Sequence, residues 1–173
     1  MKLFLRSALL LSVFLAIAVG VAQAETIQAT LTGYDEVPSV STVGEGEFRG
    51  FIGRNDASID YELSYSDLQG QVRQAHIHVA QLSVNGSIVI WLCGTTTNPG
   101  PTGTQTCPQN GTITGTIGTG NVIAGSMGGQ QLTANDLAEV IRAIRAGATY
   151  VNVHTDLSTG GEIRGQIRAS ARK

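Results

Sequence analysis

The residues of this sequence best suited to bind a ligand are its three histidines. The chain contains His76, His78 and His154 and no other histidine. His76 and His78 are two positions apart, so on a β-strand both side chains project from the same face, a few ångströms apart. His154 alternates with Val151 and Val153, which places it on the face opposite those valines. If the two strands are neighbours, three imidazoles converge, and three histidines can bind copper or zinc.

The histidines have two further interpretations. Histidines on a strand face can hydrogen-bond neighbouring polar side chains and stay free of metal. Asn152, Thr155 and Glu162 are candidate partners of this kind. Catalysis is the other interpretation, and it requires a bound metal with an open coordination position. Because the sequence contains no Gly-rich phosphate loop, no serine nucleophile elbow and no calcium loop, we assign no catalytic residue and favour a protein that is not an enzyme.

Two charged residues close to the last histidine, Glu162 and Arg164, share one face of a predicted strand. Side chains that contact a ligand histidine from behind orient its ring and tune the metal, and this pair is suited to that role. The alternative is an ion pair exposed to solvent, which would stabilise the fold by at most about 1 kcal/mol.

The first 24 residues have the pattern of a secretory signal peptide. Lys2 and Arg6 precede an apolar run over residues 9–21, and a small-x-small cleavage pattern ends at Ala24. An uncleaved membrane anchor is the alternative, but the run is short for a span of about 20 apolar residues. We therefore expect a single exported domain over residues 25–173, periplasmic or extracellular, with no stable membrane span after cleavage.

Export decides how the two cysteines are interpreted. Cys93 and Cys107 are the only cysteines of the chain, and two cysteines in an oxidising compartment usually pair. They bracket a loop rich in Thr and Gly over residues 94–106. In the chain-entropy model, closing a loop of about 15 residues stabilises the fold by roughly 3 kcal/mol. The alternative is a reactive thiol or a pair of metal ligands.

The rest of the sequence predicts a mainly β domain. Alternating apolar and polar residues are typical of half-buried strands, and turn-forming residues separate the segments. The alternation runs over residues 26–32, 48–52, 59–65, 74–79, 88–92, 113–117, 151–154 and 162–167. We expect an antiparallel β-sandwich or Greek-key-like barrel of about eight strands.

One segment in the C-terminal third predicts an α-helix. Thr133, followed by Asp136, has the pattern of an N-cap with an acidic first turn. Leu137, Ile141 and Ile144 mark one helical face, and the chain has a glycine at position 147 where the helix is expected to end. We interpret it as a packing helix that covers one end of the sheet, with a partner-binding helix as the alternative.

The composition fits a folded domain that does not bind nucleic acid. With 42% hydrophobic and 14% charged residues, a chain of 173 residues can bury a core. The net charge of -2 lacks the basic excess of a polyanion-binding protein.

Four sequence motifs resemble those of the CHRD domain family. They are residues 29–38, which end in Glu-Val-Pro, residues 75–78, residues 132–134, and residues 150–155 followed by 161–166. The loop shapes differ, since Pro38 is followed by Ser39 where family members often have a second proline, and a cysteine-bridged insertion is present. The resemblance implies an extracellular β-sandwich module of unassigned activity, with a binding or structural role and an unknown extracellular or envelope protein as its partner.

The His-x-His strand is also similar to the copper-ligand strand of copper/zinc superoxide dismutases. Two parts of such an enzyme are missing, because this chain has no fourth histidine and no cluster of histidines with an aspartate for zinc. The resemblance therefore implies, as the alternative function, a copper- or zinc-binding protein whose site is similar in geometry to the dismutase site.

Overall fold

The structure is a computed structural model that describes residues 25–170. The predicted signal peptide, residues 1–24, lies outside the described residues. Within them the chain forms nine strands and one α-helix. These are β1 Glu25–Thr32, β2 Glu45–Ile52, β3 Ile59–Ser66, β4 Val72–Val79, β5 Ser87–Cys93, β6 Gly111–Ile117, α1 Leu137–Arg145, β7 Thr149–Thr155, β8 Ile163–Gln166 and β9 Arg168–Ala169.

The strands form one antiparallel sheet that curves into a nearly closed barrel of eight strands. The strand order is β5-β4-β7-β8-β1-β2-β3-β6, and the short β9 pairs with β1. This confirms the predicted mainly β fold. The order matters for the histidines because β4 and β7 are separated in sequence by two strands and a helix, yet hydrogen-bond to each other along their length.

The barrel interior is filled by the apolar positions of the alternating pattern. In β1, β2 and β3, buried and exposed residues alternate almost without exception. Ile27, Leu31, Phe48, Ile59 and Leu63 are buried within the core. Period-two burial on this scale fixes the register, since a slip by one residue would turn the apolar set toward solvent.

The helix begins later than the sequence predicted. Its N-cap is Asp136, whose Oδ1 accepts a hydrogen bond of 2.9 Å from the N–H of Glu139. Thr133 is therefore not the cap, and the prediction was wrong at that residue. Asn135 has a φ of 64°, a left-handed conformation that a helix starting at Thr133 could not contain. Gly147, with a φ of 68°, follows the end of the helix as expected.

The two edge strands of the sheet, β5 and β6, are brought together by a disulfide and by side chains. Cys93, the last residue of β5, is bonded to Cys107 in the loop before β6, with Cα atoms 5.0 Å apart, which confirms the predicted pairing. From β3, next to β6, the hydroxyl of Tyr61 donates to the carbonyl of Leu92 in β5, at 3.1 Å. No helix among the described residues is long and apolar enough to span a membrane.

Candidate metal centre

The three histidines meet on the outer face of the barrel, where β4 and β7 run side by side. In the antiparallel register His76 lies opposite Asn152, and His154 lies opposite Gln74. Cross-strand partners project from the same face of a sheet, so His76, His78 and His154 share one face. One ring nitrogen of each histidine lies within 4.8 Å of the corresponding atoms of the other two. The convergence expected from adjacent strands is therefore present.

This outer face is buried, unlike the outer faces of β1, β2 and β3. All seven residues of β7 are buried, and the exposed fractions of His76, His78 and His154 are 0%, 6% and 7%. Loops pack over this face and shield the histidines from solvent. Asn85, for example, donates to the carbonyl of Val37 at 3.0 Å and so joins the loop before β5 to the loop after β1.

Backbone carbonyls fix the protonation of two of the rings. Nδ1 of His78 lies 3.0 Å from the carbonyl oxygen of Gly86, and Nδ1 of His154 lies 2.9 Å from that of Thr159. A carbonyl oxygen only accepts, so in each ring Nδ1 carries the hydrogen and, in the neutral ring, Nε2 holds a free lone pair. Metal-ligating histidines typically have this arrangement, with the far nitrogen tied to a carbonyl or carboxylate.

The Nε2 atoms of His78 and His154 belong to the cluster of ring nitrogens. Nε2 of His154 lies 3.2 Å from Nδ1 of His76 and 3.0 Å from Oδ1 of Asn152. Nε2 of His78 is buried and has no hydrogen-bond partner among the described residues. A buried lone pair without a partner costs stability, and a bound cation would remove that cost.

The rings are neutral at physiological pH. Burial, reinforced by repulsion from His154 and His78, lowers the pKa of His76 to about 2. Burial also lowers the pKa of His78 to about 4, against the opposing contact with Gly86. The pKa of His154 is lowered by burial as well. Protons therefore do not compete with a metal ion for these nitrogens at neutral pH.

The spacing is close to that of a metal site. Two nitrogens on one ion at about 2.0–2.1 Å can be at most about 4.2 Å apart. The His76–His154 separation of 3.2 Å falls within this limit. The widest separation in the cluster, up to 4.8 Å, would have to shorten by roughly 0.6 Å, a change that small rotations of the rings can supply.

Aromatic side chains hold two of the histidine rings. Trp91 meets His76 edge to face, with ring centroids 4.3 Å apart. Tyr150 stacks on His78 with centroids 4.6 Å apart and planes 5° from parallel. The sequence analysis missed both contacts. Tyr150 could have been found, because it alternates with Val151 on the same strand as His154, whereas the contact with Trp91 depends on the pairing of β4 with β5.

Arg164 reaches the histidines only through Tyr150. Its guanidinium carbon lies 3.4 Å from the centre of the Tyr150 ring, on which His78 also stacks. It also donates to Oδ1 of Asn85 at 3.0 Å and to the carbonyl of Val84 at 2.9 Å. Arg164 thus fixes the loop whose Gly86 carbonyl holds His78. Its predicted role behind a ligand histidine stays a prediction.

Glu162 holds the ends of the covering loops together and does not contact the histidines directly. Its carboxylate accepts from the hydroxyls of Thr42 and Thr155, each at 2.7 Å, and from the N–H groups of Gln69 and Gly70 at 2.7 and 3.2 Å. Burial alone would raise the pKa of Glu162, but these hydrogen bonds outweigh it and hold the pKa below its usual range. Glu162 and Arg164 are both buried and form no salt bridge with each other in the described chain, so they are not an exposed ion pair.

A second carboxylate, which the sequence analysis named only as part of the Glu-Val-Pro motif, lies next to Asn152. Glu36 is buried, Nδ2 of Asn152 lies beside its carboxylate, and Oε1 has no hydrogen-bond partner among the described residues. Burial raises the pKa of Glu36 to about 7, although the charge of Arg164 opposes the rise. Because Glu36 lies in a loop far from both histidine motifs in sequence, no local pattern could have placed it here.

Comparison with known proteins identifies one family. The family model described as CHRD domain matches residues 27–167, which include every strand that carries a histidine. No curated protein and no solved structure matches the chain.

Proposed function

The chain belongs to the CHRD domain family, and we propose that this member binds one copper or zinc ion through His76, His78 and His154. Imidazole nitrogen is a ligand that both metals favour. Both cysteines are joined in the disulfide, so no thiolate is available beside the three imidazoles.

The observation that carries the proposal is the orientation of the rings. His78 and His154 each have Nδ1 against a backbone carbonyl, which places the lone pair of each neutral ring on Nε2. Both nitrogens belong to a buried cluster whose ligand atoms lie within 4.8 Å of one another. Nε2 of His78 is buried without a hydrogen-bond partner among the described residues, and a bound cation would supply one.

Metal binding, rather than dismutation, is the function we propose. The chain has only three histidines, fewer than the copper and zinc sites of a dismutase would need. The role of a binding or structural module, expected from the family resemblance, stays a prediction beside the metal site.

We also propose that the domain works outside the cytoplasm, in the periplasm or the extracellular space. The Cys93–Cys107 disulfide supports this location, because disulfides persist mainly in oxidising compartments. The N-terminal signal-peptide pattern supports it independently.

A metal titration tests the function. The purified protein is stripped with a chelator, equilibrated with copper or zinc and dialysed, and the bound metal is measured by mass spectrometry. We expect about one ion per chain. The fluorescence of Trp91, the only tryptophan, offers a second signal, because its ring lies 4.3 Å from that of His76 and bound copper(II) quenches a nearby indole.

Two variants make the titration decisive. Replacing all three histidines by alanine should abolish binding, whereas Gln74→Ala should leave the stoichiometry unchanged. Gln74 is the matched control because it lies on the same strand and face, opposite His154. The proposal is wrong if the triple variant and the unmodified protein bind equal amounts of both metals, or if the unmodified protein binds neither.

A further inference from the structure

We propose that the carboxamide oxygen of Asn152 is the fourth ligand of this site, so that four protein groups enclose the metal and leave no coordination position open. The inference rests on the proposed metal-binding function and deepens it. A site of this kind is a structural metal site. Structural metal sites are closed by protein ligands, whereas catalytic sites keep a position for water or substrate.

The distances match the edges of one coordination shell. Ligands bonded to one ion at about 2.0–2.1 Å are separated by roughly 2.9–3.4 Å when their bonds make angles between a right angle and the tetrahedral angle. Oδ1 of Asn152 lies 3.0 Å from Nε2 of His154, which in turn lies 3.2 Å from Nδ1 of His76. Asn152 is also the direct cross-strand partner of His76.

The contact between Asn152 and His154 is unfavourable without a cation. Nδ1 of His154 donates to the carbonyl of Thr159, so Nε2 of the neutral ring carries no hydrogen. It faces the amide oxygen at 3.0 Å, and two acceptor atoms at this distance repel each other. A metal ion bound by both atoms would turn the repulsive contact into two ligand bonds.

The surroundings of Asn152 decide which end of the amide faces the histidines. Nδ2 of Asn152 lies on the side of the Glu36 carboxylate, since a Cβ on Gly161 would contact both Nδ2 and Oε1 of Glu36. An amide nitrogen donates and an amide oxygen accepts, so Nδ2 belongs on the side of Glu36 and Oδ1 on the side of the rings. Position 161 leaves the room for this pair, because a Cβ there would overlap Oε1 of Glu36 and crowd Nδ2 of Asn152.

The burial of the four side chains also indicates a closed site. Asn152 is 2% exposed, and His76 is fully buried. Trp91 packs against His76 and Tyr150 against His78, and Arg164 covers the Tyr150 ring. An outside molecule therefore has no direct approach to an ion held among the four side chains, and the protein's own oxygen fills the position that water would take.

Azide binding to the copper(II)-loaded protein tests the inference. Azide gives a charge-transfer absorption band when it enters an open position on copper(II), so we expect no such band from the unmodified protein. Asn152→Ala should open the position, allow azide to bind, and weaken copper binding by at least about tenfold. Asn152→Asp keeps an oxygen in place and should stay insensitive to azide. If the site takes zinc and not copper, cobalt(II) serves as the spectroscopic probe.

The outcomes separate this inference from the proposed function. If the unmodified protein binds copper through the three histidines and azide coordinates to it, the site is open and the inference is overturned. It is also overturned if Asn152→Ala binds metal as tightly as the unmodified protein and remains insensitive to azide. Loss of all metal binding in the unmodified protein would instead overturn the proposed function. Thermal unfolding of each metal-free variant checks folding, and the azide titration of the unmodified protein decides the question even if Asn152→Ala does not fold.

Discussion

The two sides of the barrel share the same alternating pattern, but their outward-facing residues have different surroundings. On the open side, formed by the outer faces of β1, β2 and β3, the outward residues are exposed and mostly polar or charged. On the covered side, formed by the outer faces of β4, β7 and β8, loops bury the outward residues. These are His76, His78, Tyr150, Asn152, His154 and Arg164.

The comparison shows where a polar side chain can destabilise the fold. A polar residue on the open side keeps its water, whereas one on the covered side must find a hydrogen-bond partner or destabilise the fold. Most of the covered side is satisfied, as the four hydrogen bonds of Glu162 show. Five buried side-chain atoms of the described residues have no hydrogen-bond partner, namely Nε2 of His76, Nε2 of His78, Oε1 of Glu36, Oγ1 of Thr149 and Oε1 of Gln166. Two of these five atoms belong to the three-histidine cluster, where a bound cation would give them a partner.

The largest effect we predict contrasts the two faces of a single strand. Ile77 lies between His76 and His78 in sequence but points into the core, where it is fully buried. Ile77→Ala should lower the free energy of unfolding by about 2–5 kcal/mol, because the truncation leaves a cavity. Urea unfolding measures the loss, and metal stoichiometry should stay at the level of the unmodified protein. A loss below about 1 kcal/mol would mean that β4 is not packed into the core as described.

A smaller effect, which depends on pH, is predicted for Glu162. Its carboxylate accepts four hydrogen bonds, so Glu162→Gln should lower the free energy of unfolding at pH 7 by about 2 kcal/mol. The pKa of Glu162 is lower in the folded than in the unfolded protein. The stabilisation is therefore present above the unfolded value, near 4.5, and is lost as the pH falls through the folded value. Denaturant unfolding at a series of pH values should show the two proteins converging in acid.

The matched control for Glu162 comes from the open side. Glu62 lies on the exposed outer face of β3, opposite Arg49. Glu62→Gln should change the free energy of unfolding by less than about 0.5 kcal/mol. Equal losses for the two glutamine variants at pH 7 would show that burial under the loops gives Glu162 no special role.

The smallest effect is expected for an ion pair on the open side. Arg49 and Glu47 are 2.8 Å apart, with side chains 66% and 55% exposed. Solvent and salt screen such a pair, so Arg49→Ala should change the free energy of unfolding by less than about 0.5 kcal/mol. A loss above 1 kcal/mol in urea unfolding would contradict the description of this side as solvent-exposed.

Much of the architecture could be predicted because it depends on local patterns. The alternating residues of β1, β2 and β3 define both the strands and their buried faces, since one face of each strand must avoid water. The helix was placed correctly, but its first turn was not. The error arose because Asn135 has a left-handed backbone conformation, so the helix cannot start at Thr133.

The histidine site could be predicted only in part. The spacing of His76 and His78 placed those two rings together, because alternation along a strand is a local property. That Trp91 lies against His76 and Glu36 beside Asn152 could not be predicted, since each comes from a different segment of the chain. Two residues expected to hydrogen-bond the histidines, Thr155 and Glu162, bond to each other instead.

The sequence by itself determined which side chains share a strand face, where the core residues lie and which residues carry chemistry. The tertiary structure decided which strands are neighbours and which outer faces the loops cover. Strand pairing joins residues as far apart as His76 and His154, and burial depends on loops whose shapes follow no repeating pattern. The proposed metal site depends on sequence and tertiary structure alike. Local alternation sets the strand face of each imidazole, whereas strand pairing brings the three rings together and the loops exclude water from them.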